Sequence, residues 1–343
     1  MKKMKKLLQL LAIISFVVLL AACGSGSNDD STDSGESEGE SGSDDGQTYT
    51  VGATQIVEHP SLDNAYKGFQ DALEDLGLDV EYDFQSAQND QNNVKPISDG
   101  FVADGVDLIF ANSTPSALGA LQATSDIPII FTSVSDAVGS GLVPSMDEAG
   151  ENITGNVDLH PDAIQETVAF IEEYFPDSAV GMVYNAGEQN SVSQVDAVKE
   201  AAEGTSLTIV ERTVANASEV QQSTMTLVGE ADVIYIITDN TVVSALDSVV
   251  GVANDQDIPL IVGEPDSLAK GGFATFGIDY YTLGYRAGEM AADILTGEKA
   301  VREIAPEYPP EIQLFLNKEA AEEQGIEWNT EWDDTAQFVD KEE

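Results

Sequence analysis

From residue 48 onward the apolar positions change period at regular intervals. Residues 48–54 (TYTVGAT) form a short β-rich run and residues 55–60 a polar loop. From Ser61 the apolar side chains Leu62, Ala65, Phe69, Leu73 and Leu76 fall at helical spacing, with Ser61 as candidate N-cap and Gly77 as the stop. The same strand, loop and helix unit recurs along the chain. A strand over 79–84 precedes a helix over 93–103. The compact apolar runs DLIFA (107–111) and PIIF (128–131) read as buried parallel strands. The first ends in Asn112-Ser113-Thr114-Pro115 before a helix over 116–124, and the second in Thr132-Ser133-Val134-Ser135-Asp136.

Residues 139–160 are weakly periodic and glycine-containing, and they read as a connection into a second lobe. A helix over 162–174 leads to the strand AVGMVY (179–184), which ends in Asn185-Ala186-Gly187-Glu188-Gln189-Asn190-Ser191 and a further helix. After a strand over 207–210 and a helix over 218–228, VIYII (233–237) ends in Thr238-Asp239-Asn240-Thr241, followed by a helix over 242–253. The strand at 259–262 ends in Gly263-Glu264-Pro265-Asp266-Ser267. Residues 273–278, 283–295, 312–316 and 319–324 give strand, helix, strand and helix. Such alternation predicts an α/β fold of two doubly wound parallel-sheet lobes joined by crossing strands. The expected division is residues 48–138 plus about 279–326 for the N-terminal lobe, 139–278 for the C-terminal lobe, and 327–343 as an acidic tail.

Charge changes the picture of the surroundings. The chain has 14 basic and 62 acidic residues, a net charge of −48. Such a surface repels nucleic acid and anionic lipid alike, and its self-repulsion points to a salty or alkaline exterior. Four of the cations, Lys2, Lys3, Lys5 and Lys6, precede an apolar run over 7–22 of signal-peptide length. That run ends Leu20-Ala21-Ala22-Cys23-Gly24, which resembles a bacterial lipobox. It implies cleavage before Cys23, the only cysteine, and a lipid anchor on it, with two or more acyl chains holding the protein to the outer face of the cytoplasmic membrane. Residues 24–47 are rich in Gly and Ser, carry eight carboxylates and lack large apolar side chains. They read as an extended tether.

No P-loop, dinucleotide fingerprint or H-E-x-x-H motif occurs, and the G-x-S-x-G match at 35–39 lies in the tether, without the strand and helix a nucleophile elbow needs. The two histidines, His59 and His160, stand far apart in sequence with no ligand-like partner near them, so neither a metal nor a cofactor is expected. A carboxylate-only glycosidase stays open as an alternative. In open parallel sheets, ligands sit where strands end and helices begin. Ser, Thr, Asn and Asp at such places are first of all helix caps. Doubled polar residues, as in TSVSD (132–136) and TDNT (238–241), exceed what caps require.

The candidate ligand contacts are therefore Gln55, Ser113, Thr114, Thr132, Ser133, Asp136, Tyr184, Asn190, Ser191, Asp239, Asn240, Glu264 and Asp279. An amino-acid zwitterion needs hydroxyls and helix N-termini for its carboxylate and an acid such as Asp239, Asp136 or Glu264 for its ammonium. Tyr184, Phe131 and Tyr280 are candidate walls for an apolar side chain.

Several of these runs resemble the ABC transporter substrate-binding lipoproteins of the tryptophan/tyrosine-binding type. They are TQIVEHP (54–60), DLI (107–109) and IIFT (129–132) in the first half, and YNAGEQNS (184–191), TDNTVVSA (238–245) and GIDYY (277–281) in the second. The resemblance covers roughly residues 48–326. It implies a type I periplasmic-binding-protein fold that holds a small solute, such as an aromatic amino acid, between its lobes. It further implies a monomer that catalyses nothing and delivers the solute to ABC permease subunits. A nucleoside, a sugar or a branched-chain amino acid is the alternative solute, and a ligand-sensing receptor subunit the alternative role.

Overall fold

The computed structural model of the chain describes residues 47–341. The expectations for residues 1–46, acylation of Cys23 included, lie outside the described residues. The first sheet consists of β1 (Thr48–Gln55), β2 (Asp79–Ser86), β3 (Leu108–Asn112), β4 (Ile129–Val134) and β5 (Ile153–Val157), in the order β2-β1-β3-β4-β5. All its pairs are parallel. The connecting helices are α1 (Pro60–Asp75), α2 (Gln91–Asp104) and α3 (Thr114–Ala123). Every residue of β3, β4 and β5 is buried, as expected of strands covered on both faces.

The chain then builds a second sheet. Its parts are α4 (Ala163–Tyr174), β6 (Ala179–Tyr184), α5 (Gln189–Ala201), β7 (Thr208–Thr213), α6 (Val220–Met225), β8 (Val233–Ile236), α7 (Asn240–Val243), α8 (Leu246–Asp255), β9 (Leu260–Val262), α9 (Asp266–Ala269) and β10 (Ala274–Gly277). It returns to the first lobe as α10 (Tyr280–Leu295) and crosses once more to β11 (Gln313–Leu316), α11 (Lys318–Glu323), α12 (Trp332–Thr335) and β12 (Gln337–Phe338). The second sheet runs β12-β11-β10-β9-β8-β6-β7, with β10 and β11 antiparallel.

What holds α10 to the first lobe is close backbone contact with α1. A Cβ on Gly68 would come within 2.1 Å of the Tyr281 carbonyl oxygen, and one on Gly284 within 1.7 Å of that of Ala65. The helices therefore approach to a distance that only glycine permits. Beyond them, Ala287, Met290 and Ala291 join Val51, Phe69, Leu108 and Phe110 in one apolar cluster.

Three boundaries differ from expectation. β5 belongs to the first sheet, not the second lobe, because Ile153 and Val157 complete the first-lobe core. Its sequence, ITGNV, hides this. The two polar side chains are bonded inside: Thr154 Oγ1 donates to the Ile304 carbonyl, and Asn156 Nδ2 to that of Leu283. β11 and α11 belong to the second lobe, where Leu316 and Ala321 are core. The described part of the tail is folded: Trp332 is buried against Phe170 and Phe273, and β12 pairs with β11. Among the described residues no helix is long and apolar enough to cross a membrane.

Candidate solute-binding cleft

Strand C-termini from both sheets converge on a narrow cleft, partly open to solvent, whose free volume with the lobes closed is about 30 Å³. The first lobe contributes Val57, His59, Ser61 and Leu62 after β1, and Ser133 and Ser135 at the end of β4. The second contributes Asn190 from α5, Thr238, Asp239 and Asn240 after β8, Val243 in α7, and Glu264 after β9. Asp158 and Tyr280 enter from two of the crossings. Val57, Leu62 and Val243 supply apolar surface. Among the described residues no lysine or arginine lines the cleft, whereas three carboxylates do.

The entry to α1 sets one wall. His59, not Ser61, is the N-cap: its backbone is extended and its Nδ1 accepts from the Ser61 N–H at 3.3 Å. Pro60 occupies the first helical position, where its missing N–H has no consequence. The Ser61 hydroxyl is thereby free to cross the cleft, and it donates to Glu264 Oε2 at 2.6 Å. Glu264 also accepts from the backbone N–H and the hydroxyl of Ser267. Other bonds join the lobes nearby: Asn64 Nδ2 to Asp266 Oδ1 at 3.0 Å, Gln194 Nε2 to Ser135 Oγ at 3.2 Å, and the Ser135 and Thr238 hydroxyls at 3.3 Å. The two lobes are closed on each other.

Burial governs the electrostatics. It pushes the carboxyls of Asp158 and Glu264 above their ordinary range. Asp239 is pushed up to about 7, first by burial and then by the nearby Glu188. Its oxygens accept from the backbone N–H groups of Asn185 at 2.6 Å and Val242 at 2.7 Å, the latter bond capping α7. Glu188 accepts from the backbone and side chains of Asn240 and Thr241. His59 moves the other way, down to about 4, chiefly through burial, so its ring is neutral near pH 7. A partly buried cleft lined by three carboxylates and, among the described residues, by no lysine or arginine is suited to receive positive charge.

Of the residues singled out from sequence, Ser133, Asn190, Asp239, Asn240, Glu264 and the candidate wall Tyr280 line this cleft. The rest are placed elsewhere. Gln55 bonds Asp63 and Asn112 beneath α1. Ser113 caps α3, and Thr114 is buried in its first turn. Thr132 donates to Asn156, and Asp136 caps the turn at Gly139. Tyr184 donates its phenol to Glu211 at the β6–β7 edge, outside the cleft lining, and Phe131 is core. Ser191 is buried behind Asn190. Asp279 caps α10 and faces a separate hollow at the crossings. For these residues the capping or core role accounts for the side chain.

His59, Ser61, Ser135, Asp158 and Thr238 line the cleft without having been chosen. His59 and Ser61 sit in and beside the TQIVEHP run, and Ser135 and Thr238 in the polar loops already marked by their excess of hydroxyls. Asp158 follows the strand that the sequence concealed.

Residues 50–339 match the family described as ABC transporter substrate binding protein. A tyrosine-binding protein of Clostridioides difficile (strain R20291) is 41% identical over 325 residues, 93% of this chain and 92% of the relative. The crystal structure of an ABC domain in complex with L-Trp from Streptococcus pneumonia is 30% identical and superposes with a TM-score of 0.81, covering 85% of this chain and 100% of that one. A ligand-free, open substrate-binding protein with adhesive properties from Clostridium difficile is 37% identical, with a TM-score of 0.64 over 86% of this chain and 100% of that one. The lobes here thus lie nearer the arrangement of the complex than that of the open structure, although identity runs the other way. With a polar cleft between two closed α/β lobes and these similarities over nearly its whole described length, the chain belongs to the family of ABC transporter substrate-binding proteins.

Proposed function

We propose that this chain captures an aromatic amino acid, tyrosine or tryptophan, and delivers it unchanged to ABC permease subunits while anchored by lipid on Cys23 outside the cytoplasmic membrane. The observation that carries the reading is the cleft itself: Asp158, Asp239 and Glu264 line a partly buried space with no lysine or arginine among the described residues. An ammonium group is the natural partner of such a set. The names of the similar proteins, one tyrosine-binding and one in complex with L-Trp, support an aromatic side chain beside it. Val57, Leu62 and Val243 offer apolar surface for the ring.

Capture works by differential affinity. A solute that touches both lobes favours the closed arrangement by the contacts it would lose on opening. Isothermal titration of the mature protein with each standard amino acid tests the reading. Tyrosine or tryptophan should bind at micromolar concentration or tighter, about −8 kcal/mol, and failure of both to bind would refute it. The anchor is tested separately: Cys23→Ser should release the protein from the membrane fraction into the medium.

A further inference from the structure

The amino-acid reading leaves open which way the solute lies, and three buried atoms in the cleft bear on that question. His59 Nε2, Asp158 Oδ1 and Asn190 Oδ1 are buried without a hydrogen-bond partner, and all three side chains line the cleft. Their chemistry differs. His59 Nδ1 accepts from the Ser61 N–H at 3.3 Å, which assigns the proton of the neutral ring to Nε2. The nearest carboxylate oxygen, Glu264 Oε1, is 3.9 Å away, too far for a hydrogen bond. His59 therefore holds an unused donor.

The other two are unused acceptors. Asn190 Nδ2 donates to the Thr238 carbonyl at 3.2 Å, and because a carbonyl can only accept, the amide is oriented with Oδ1 away from it. Asp158 Oδ2 accepts from the Tyr280 phenol at 2.7 Å, and Oδ1 makes no hydrogen bond of ordinary geometry although the Ser135 hydroxyl lies close enough to favour the ionised carboxyl. Buried polar groups in native proteins are nearly always satisfied, so an orphan donor and two orphan acceptors around one cleft describe the missing partner. A single solute that met all three would accept from His59 and donate to Asp158 and Asn190.

Resting on the amino-acid reading above, we infer that His59 Nε2–H receives the α-carboxylate of the solute, while Asp158 Oδ1 and Asn190 Oδ1 receive its α-ammonium. A carboxylate can only accept and an ammonium can only donate, so the two ends cannot exchange places without leaving all three atoms unpaired. His59 is on this view a specificity-determining residue of the first lobe: it selects amino acids over the corresponding amines.

The test compares L-tyrosine with tyramine, and L-tryptophan with tryptamine, by isothermal titration of the intact mature protein. In the wild type each amine should bind at least tenfold more weakly than its amino acid. His59→Asn keeps a side chain able to cap α1 but has no atom at the Nε2 position, and in it the gap should shrink at least fivefold through loss of amino-acid affinity. His59→Gln, whose amide nitrogen reaches toward that position, should restore part of the gap. A gap unchanged in His59→Asn overturns the assignment while leaving amino-acid binding intact, whereas wild-type protein that binds neither amino acid overturns both.

A readout on unmodified protein guards against misfolded variants. With only two histidines in the chain, the imidazole Nε2 proton of His59 can be followed by nitrogen-edited NMR. It should move downfield with L-tyrosine and stay in place with tyramine. An equal shift with both would count against the assignment.

Discussion

The Ser61 hydroxyl and the Glu264 carboxylate are 203 positions apart in the chain and 2.6 Å apart across the cleft. The bond is buried, and one partner is an acid, which places it among the stronger hydrogen bonds, about 1.5–3 kcal/mol. Because it exists only when the lobes meet, its energy acts wholly on closure. Ser61→Ala should weaken solute affinity by about tenfold or more, since the closed state becomes less populated before binding. Small-angle scattering of the variant without solute should show a larger radius of gyration than wild type. An unaltered affinity would mean that the bond does not bias closure.

Asp239 gives a pH dependence of definite sign. Its folded-state value of about 7 lies above the ordinary aspartate value of about 3.9. The folded chain therefore keeps a proton there that the unfolded chain has lost. That contribution to stability is complete below about pH 4 and disappears as pH rises through about 7. Urea denaturation between pH 4.5 and 8 should show wild type losing stability more steeply than Asp239→Asn, which cannot titrate. Parallel curves would show that the carboxyl ionises normally.

Solute binding should couple to the same protons. An ammonium on Asp158, in the cleft that Asp239 also lines, favours the ionised form of these carboxyls, so binding releases protons and affinity increases as pH rises from about 5 to 8. Titrations in buffers of different ionisation enthalpy should give different apparent heats. Heats independent of buffer would show that no proton leaves. Asp239→Ala should also weaken binding by about tenfold or more, and it removes the cap of α7, which adds a stability loss of about 0.5–2 kcal/mol.

The contact between α1 and α10 should tolerate no side chain. In Gly284→Ala the new Cβ would stand 1.7 Å from the Ala65 carbonyl oxygen, backbone that cannot move aside cheaply. A loss of about 1–3 kcal/mol is expected, read as a lower urea midpoint. Gly297→Ala is a weaker control: it meets open space, and its strain comes only from φ +73°.

The net charge of −48 should make stability depend on salt. Screening over about 10 Å at 0.1 M and about 3 Å at 1 M relieves repulsion between exposed carboxylates. The melting temperature should climb with added sodium chloride, and a flat response would mean that repulsion is a minor factor.

Much of the scaffold could be read from the chain because its central strands are continuous apolar runs. LIFA, PIIF and VIYI announce burial on both faces, and the polar loops behind PIIF, VIYI and the later strand LIV carry Ser133, Asp239 and Glu264 to the cleft. β5 could not be read, since ITGNV satisfies its polar side chains through bonds to residues near 283 and 304. Asp158 was lost with it. His59 was passed over because its surroundings come from the other lobe, and no local pattern announces a contact more than two hundred positions away. Caps and contacts also share residue types, so Ser113 and Asp279 looked like Asp239 until their positions were known.

The late arrival of α10 has a consequence for synthesis. The strands of the first sheet are complete by Val157, but Ala287, Met290 and Ala291, which cover part of one face, are made more than a hundred residues later. A nascent or truncated chain ending near residue 279 leaves Val51, Phe69 and Phe110 short of their cover. The amino-terminal lobe therefore cannot mature as an independent unit while the ribosome is still translating the second, and its final folding waits for most of the polypeptide.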